Sequence, residues 1–129
     1  MKRYFIIIVL SLLIVGLIIW EQIFISNCLT VLKEKTTTIY NQIQTSENVN
    51  TKEILNNIEQ LDVFWKEKEH WLYLVINYKD MERTGEQITR LKTLSLQNDK
   101  KYAQQDAALL KYFVENYDNV MRIAFHNIW

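Results

Sequence analysis

Glu67-x-x-His70 is the one arrangement here whose residue types and spacing suit metal ligation, because a carboxylate and an imidazole three positions apart share a helix face. Carboxylate-bridged two-metal bundles take two such motifs and two further glutamates. This chain has one copy, and its other histidine, His126, has Ile123 rather than a glutamate three positions before it. Solvated surface charge is the better reading of the pair. Cys28, the only cysteine, excludes an internal disulfide and the paired-cysteine zinc sites. A thiol just outside a membrane in an oxidising compartment would be placed to cross-link two copies; a small residue on a helix flank is the plainer reading. Trp65, Trp71 and Tyr78 form a stripe that could line an apolar pocket, but aromatics at helical spacing more often fill a core. No H-E-x-x-H, C-x-x-C-H, G-x-S-x-G or phosphate-cradling glycine loop occurs, so no catalytic, cofactor-binding or metal residue is assigned and no enzyme is expected.

The elements that carry these residues are legible from composition. Proline is absent and glycine occurs only at Gly16 and Gly85, where average usage would supply about six and nine in a chain this long. Turns and hairpins depend on those residues, so their scarcity argues for a few long helices joined by short polar loops: an all-α fold. The 15 basic and 15 acidic side chains balance, without a long run of either sign. Phosphate-backbone binding needs a basic surface, so no nucleic-acid partner is expected.

Residues 4–20 read Y-F-I-I-I-V-L-S-L-L-I-V-G-L-I-I-W, uninterrupted by charge, and as a helix they cover about 26 Å. The hydrocarbon core of a bilayer is roughly 30 Å thick. Ile23, Phe24 and Ile25 follow after Glu21 and Gln22, so slight thinning or interfacial burial of that turn makes up the difference. The span is thus marked by Tyr4 and Trp20 at its aromatic belts and Gly16 within it. Lys2 and Arg3 precede it, whereas the first basic residue beyond it is Lys33, which orients the N-terminus to the cytoplasm. No small-residue cleavage pattern follows, so an uncleaved anchor over residues 1–25 is expected, with an extracytoplasmic domain over residues 26–129. The segment Ile25-Ser26-Asn27-Cys28 leaves a lipoprotein signal as the alternative, although Asn27 is a poor fit before a processed cysteine.

Beyond the span, Ile25, Leu29, Leu32, Thr36, Ile39 and Ile43 recur at four- and three-residue steps, so the membrane helix should continue outward as one element. Asn50 with Glu53 resembles a capping box that opens a second helix. That helix carries Ile54, Ile58, Leu61, Trp65, Leu72 and Val75, with Phe64, Trp71, Leu74 and Tyr78 beside them, a face broad enough for a bundle interior. An unbroken helix over residues 51–97 would extend about 70 Å. A compact bundle instead favours a break near residues 77–80, with Asn77 as cap. Asp62 with Lys66 and Glu86 with Arg90 are spaced as exposed helical ion pairs. After the Gln97-Asn98-Asp99 turn, Ala103, Ala107, Leu110, Val114, Tyr117, Met121, Ala124 and Ile128 give the most regular seam, widened by Leu109, Phe113, Val120 and Ile123. The expected architecture is an N-terminal transmembrane helix continuing into an antiparallel bundle of three to four helices. An aromatic and aliphatic C-terminal segment makes Phe125, Ile128 and Trp129 a candidate contact surface, with packing into the bundle's own core as the plainer reading.

The short basic start, the apolar span, the tryptophan-containing second helix, Ile88-x-x-Leu91, the Asn98-Asp99 turn and the terminal Asn127-Ile128-Trp129 together resemble domain-of-unknown-function family 4363, small membrane-anchored proteins of Clostridia-like Firmicutes. The resemblance spans nearly the whole chain and rests on pattern. Where that family carries a histidine followed by an acidic residue, this chain has Asn77 and Tyr78, so no role is carried over to that position. The resemblance implies a Gram-positive origin, an extracytoplasmic helical domain and an accessory role beside a multi-pass membrane protein of the YetF-like kind. The residues themselves point to a non-enzymatic, membrane-tethered bundle that works by protein contact, with the lipid bilayer and either a multi-pass membrane protein or a second copy as partners. Two alternatives stay open: an extracytoplasmic ligand-sensing bundle signalling through a partner, and a bitopic coiled-coil component of division, sporulation or lysis machinery.

Overall fold

The computed structural model describes residues 2–128, with side-chain surroundings described as far as Ile123. Four helices make up this region: α1 (Lys2–Thr45), α2 (Lys52–Leu72), α3 (Tyr78–Leu96) and α4 (Lys100–Ile128), with no strand among the described residues. The 44-residue α1 is unbroken, about 66 Å long at the usual rise. Its first half stands alone. Every described side chain up to Trp20 is exposed, and burial begins at Ile25.

From there outward α1 packs on α2 and α4, and α3 packs on the same two, the ring of an antiparallel four-helix bundle. The direction of α4 is readable from its side-chain partners on α1: Lys33 reaches Asp118, while Lys111 lies over the ring of Tyr40, so numbers rise on one helix as they fall on the other. The α1 seam at Ile25, Leu29, Leu32, Thr36, Ile39 and Ile43 is buried throughout. Thr36 tolerates this because its hydroxyl lies 2.8 Å from the Leu32 carbonyl and 3.0 Å from that of Lys33, so no buried donor is stranded. The same core takes in Ile58, Leu61 and Trp65 of α2, Met81, Ile88 and Leu91 of α3, and Ala107, Leu110, Val114 and Met121 of α4. Gly85 packs beside the indole of Trp65: a β-carbon there would lie 3.4 Å from its Nε1, an ordinary contact.

The helix boundaries follow local chemistry. Thr51, not Asn50, caps α2, its hydroxyl accepting from the Ile54 amide at 3.3 Å. Glu53 does not close a capping box; it accepts from the Gln42 side chain on α1 instead. Asn77 caps α3 by accepting from the Asp80 amide at 2.9 Å, so α2 and α3 are separate helices. Asn98 ends α3 in the left-handed region, φ 56°, with the Asp99 amide donating to the Leu94 carbonyl and the Asn98 amide to that of Ser95. This 6→1 and 5→2 pairing is the Schellman ending, usually supplied by glycine. One residue later the Asp99 carboxylate accepts from the Tyr102 amide and starts α4.

The break at residue 72 moves several side chains off the expected core face. Leu74, Val75 and Tyr78 are exposed, because the chain leaves helical phase at Tyr73 through overlapping turns. Only Ile76 folds back into the core. Leu109, Val120 and Ile123 also lie outside, since each is rotated about 100° or more from its neighbour on the buried α4 seam. Arg90 pairs with Asp106 of α4 at 3.1 Å, across the bundle groove, rather than with Glu86. The expected pair Asp62–Lys66 forms at 3.0 Å.

Candidate functional surface

Three regions on this frame concern function: the bare half of α1, the end of the bundle nearest to it, and the outer face of α4. The bare half makes α1 long and apolar enough to cross a membrane, and it is the one such helix among the described residues. Tyr4 and Trp20 stand exposed near its two ends, and nothing lies within 4 Å of where a β-carbon on Gly16 would be. Trp20 also touches the bundle. Its ring stacks on Phe24 at 5.5 Å and meets Trp71 edge-on at 6.0 Å, while Trp71 meets Phe24 at 5.1 Å. This three-ring cluster fixes the C-terminal end of α2 at the level where the apolar run of α1 stops.

The adjoining end of the bundle is apolar. Tyr73 and Tyr78 stack at 6.0 Å and 14°, and Leu74 and Val75, which follow Tyr73 in the chain, are exposed to solvent. Beside this turn a cavity of about 320 Å³ opens between Val75, Ile76 and Asn77 on one side and Tyr117, Val120 and Met121 on the other. Its inner wall is held by a buried hydrogen-bonded chain: Tyr117 OH lies 2.7 Å from Thr84 Oγ1 and donates to the Asp80 carbonyl at 3.1 Å. Burial pushes the Tyr117 phenol above its ordinary value, and the hydrogen bond to Thr84 opposes that shift.

On the outer face of α4, Tyr102, Leu109, Tyr112, Val120 and Ile123 are exposed. Their steps of seven, three, eight and three keep them on one stripe of the helix. On its inner flank Asp118, almost fully buried, is neutralised from both sides by Arg122 at 3.1 Å and Lys33 at 3.8 Å. This triad ties α4 to α1.

The residues that first suggested chemistry do not converge. His70 packs its ring beside Trp71 at 5.1 Å, Glu67 is exposed, and among the described residues no three His, Cys, Asp or Glu side chains gather as a metal set would. Trp65 is core, Trp71 belongs to the junction with α1, and Tyr78 is exposed, so the three do not line one pocket. Cys28 is buried in the bundle, where burial raises its thiol above the ordinary value and Lys68 partly offsets this. The side chains of Phe125, Ile128 and Trp129, the expected contact surface, lie outside the described residues. The outer α4 stripe is not evident from periodicity, because Leu109, Val120 and Ile123 fit a widened core face equally well. Nor is the link between turns made by the Asn98 side chain, which accepts from the Val49 amide and donates to Asn48, and for which the only local signal is an Asn-Asp pair. Comparison with protein-family models, curated proteins and solved structures gives no match.

Proposed function

We propose that this chain is a non-enzymatic, membrane-anchored helical bundle that acts by protein contact at the outer face of the cytoplasmic membrane. The observation that carries the proposal is the continuity of α1: one unbroken helix whose first half is bare and apolar and whose second half is a core element of the bundle. An anchor joined by a flexible linker would leave a domain free to tumble. Here the domain is rigidly attached to the anchor, so its outer faces are presented to neighbours in the same membrane at a fixed height and tilt. Lys2 and Arg3 on one side of the apolar run, against Lys33 as the first basic residue on the other, favour a cytoplasmic N-terminus and an external bundle. The pattern likeness to family 4363 agrees with a Gram-positive envelope and an accessory role beside a multi-pass partner.

The outer stripe of α4 is the surface we assign to protein contact, since clustered exposed apolar side chains rimmed by polar ones mark interaction sites. Photo-cross-linking from Leu109 and Val120 in living cells tests this. A discrete adduct with another membrane protein, or with a second copy, is the expected outcome; no adduct, with the protein recovered alone as a monomer from gently solubilised membranes, contradicts it.

A second reading, an extracytoplasmic sensor, draws support from the cavity beside Tyr117. A small apolar molecule that raises the melting temperature of the wild-type chain but not of Val120→Trp would favour it. The coiled-coil alternative calls for a long narrow stalk, whereas α2, α3 and α4 fold back beside α1.

A further inference from the structure

We infer that the turn joining α2 to α3, residues 72–78, is a lipid-binding foot: it dips into the headgroup boundary of the same bilayer that holds α1, and gives the bundle a second attachment. The inference rests on the reading that residues 4–20 lie in that bilayer.

Position is the first support. The contacts of Trp71 with Trp20 and Phe24 set the end of α2 level with the end of the apolar run, so the turn that follows lies at the depth where the span leaves the hydrocarbon. Composition is the second. The segment L-Y-L-V-I-N-Y is seven residues without a charge, and Leu74 and Tyr78 are 58% and 66% exposed in a turn, where polar side chains are the rule. The other end of the bundle supplies the contrast. Its two turns, Ser46-Glu47-Asn48-Val49-Asn50-Thr51 and Gln97-Asn98-Asp99, are polar, and their one large apolar residue, Val49, is fully buried. The turns at the two ends differ as they should if one meets lipid and the other water; at the polar end the exposed apolar side chains, Leu96 and Tyr102, lie in the flanking helices.

The flanks suit the same depth. Lys68 and His70 precede the turn and Lys79 follows it, at a distance where basic groups reach lipid phosphates. The nearest acidic neighbours are engaged locally: Glu69 accepts from the Tyr73 hydroxyl, and Asp80 accepts from the Asn77 side chain. Tyr73 and Tyr78, stacked with their rings exposed, are the residue type that populates membrane interfaces.

The test uses full-length protein carrying Cys28→Ala and one of Leu74→Cys, Tyr78→Cys, Leu12→Cys or Glu47→Cys. Each is labelled with an environment-sensitive fluorophore and reconstituted into vesicles of phosphatidylethanolamine and phosphatidylglycerol, without spin-labelled lipid, with lipids spin-labelled high on the acyl chain to read Leu74, Tyr78 and Glu47, and with lipids spin-labelled near the chain end to read Leu12. The foot predicts blue-shifted emission and several-fold stronger quenching at Leu74 and Tyr78 than at Glu47, with Leu12 also quenched. Adding Leu74→Asp and Val75→Asp should lower quenching at a Tyr78→Cys label while leaving Leu12 unchanged. Quenching at Leu12 alone, with Leu74 and Tyr78 no more affected than Glu47, overturns the foot and leaves the span intact. No quenching at Leu12 removes the membrane reading and the foot with it.

Discussion

Asn98 joins the two turns at the end of the bundle farther from the apolar run, and its substitution gives a prediction whose parts can be separated. Its side chain accepts from the Val49 amide at 2.8 Å and donates to Asn48 at 3.1 Å, while its backbone holds φ 56° to end α3. Asn98→Ala removes both hydrogen bonds and leaves a plain β-carbon in the left-handed region. Stranding the amide of a buried residue costs about 1–3 kcal/mol, and the backbone conformation adds about 1 kcal/mol for alanine. Asn98→Gly removes the same bonds but relieves the backbone, and Asn98→Asp keeps the acceptor for Val49 and loses only the exposed bond to Asn48. The expected order of destabilisation is therefore Asp, then Gly, then Ala, spanning from under about 1 to about 2–4 kcal/mol. Thermal unfolding of the full-length chain in detergent, followed by helix content, reads this as roughly 4–8 °C per kcal/mol. If Asn98→Gly proves as stable as the wild type, the side-chain bonds contribute nothing and the turns are not tied in this way. If Ala and Gly cost the same, the left-handed backbone carries no penalty and that part of the reasoning fails.

Neighbouring leucines on α4 separate the core from the exposed stripe: Leu110, 1% exposed, should cost about 2–5 kcal/mol on change to alanine, whereas Leu109, 42% exposed, should cost about 0.5 kcal/mol or less. Denaturant unfolding of the two variants side by side checks this. Tyr117→Phe should lose about 1 kcal/mol at neutral pH through the Thr84 bond. Because burial raises the folded-state phenol above its unfolded value, the wild-type contribution is full below about pH 10 and disappears as pH climbs through the raised value. The difference between Tyr117→Phe and wild type should therefore shrink in alkaline unfolding titrations. Cys28, buried and with its thiol raised by that burial, should react with thiol reagents far more slowly in the folded chain than after denaturation, and should not form disulfide-linked dimers under mild oxidation.

Much of this architecture is legible in the sequence because helical periodicity reports burial directly. The steps of four and three from Ile25 to Ile43 and from Ala103 to Met121 name the buried seams of α1 and α4. Asn77 signals its cap through a short polar side chain ahead of an acidic first turn. What periodicity cannot report is phase once the chain leaves a helix: Leu74, Val75 and Tyr78 fit the α2 face on paper, yet the turns after Leu72 carry them outward. The width of an apolar face is equally ambiguous, since Val120 and Ile123 lie beside a core stripe whether they are covered or not. Cross-helix partners such as Arg90 with Asp106 and Lys33 with Asp118 depend on register between helices, which no local pattern encodes. The surface assigned to function comes from these off-phase residues, which is why the fold could be read more fully than the site.

The proposed function depends on α1 passing through the membrane and delivering the bundle to its outer face. Glu47, exposed in the turn after α1, is the position that reports this most directly. In a Cys28→Ala background, Glu47→Cys should be labelled by a membrane-impermeant thiol reagent added to intact cells, with the protein retained in the membrane fraction after alkaline washing. Labelling that occurs only after the cells are broken open, or release of the protein by the wash, would contradict it.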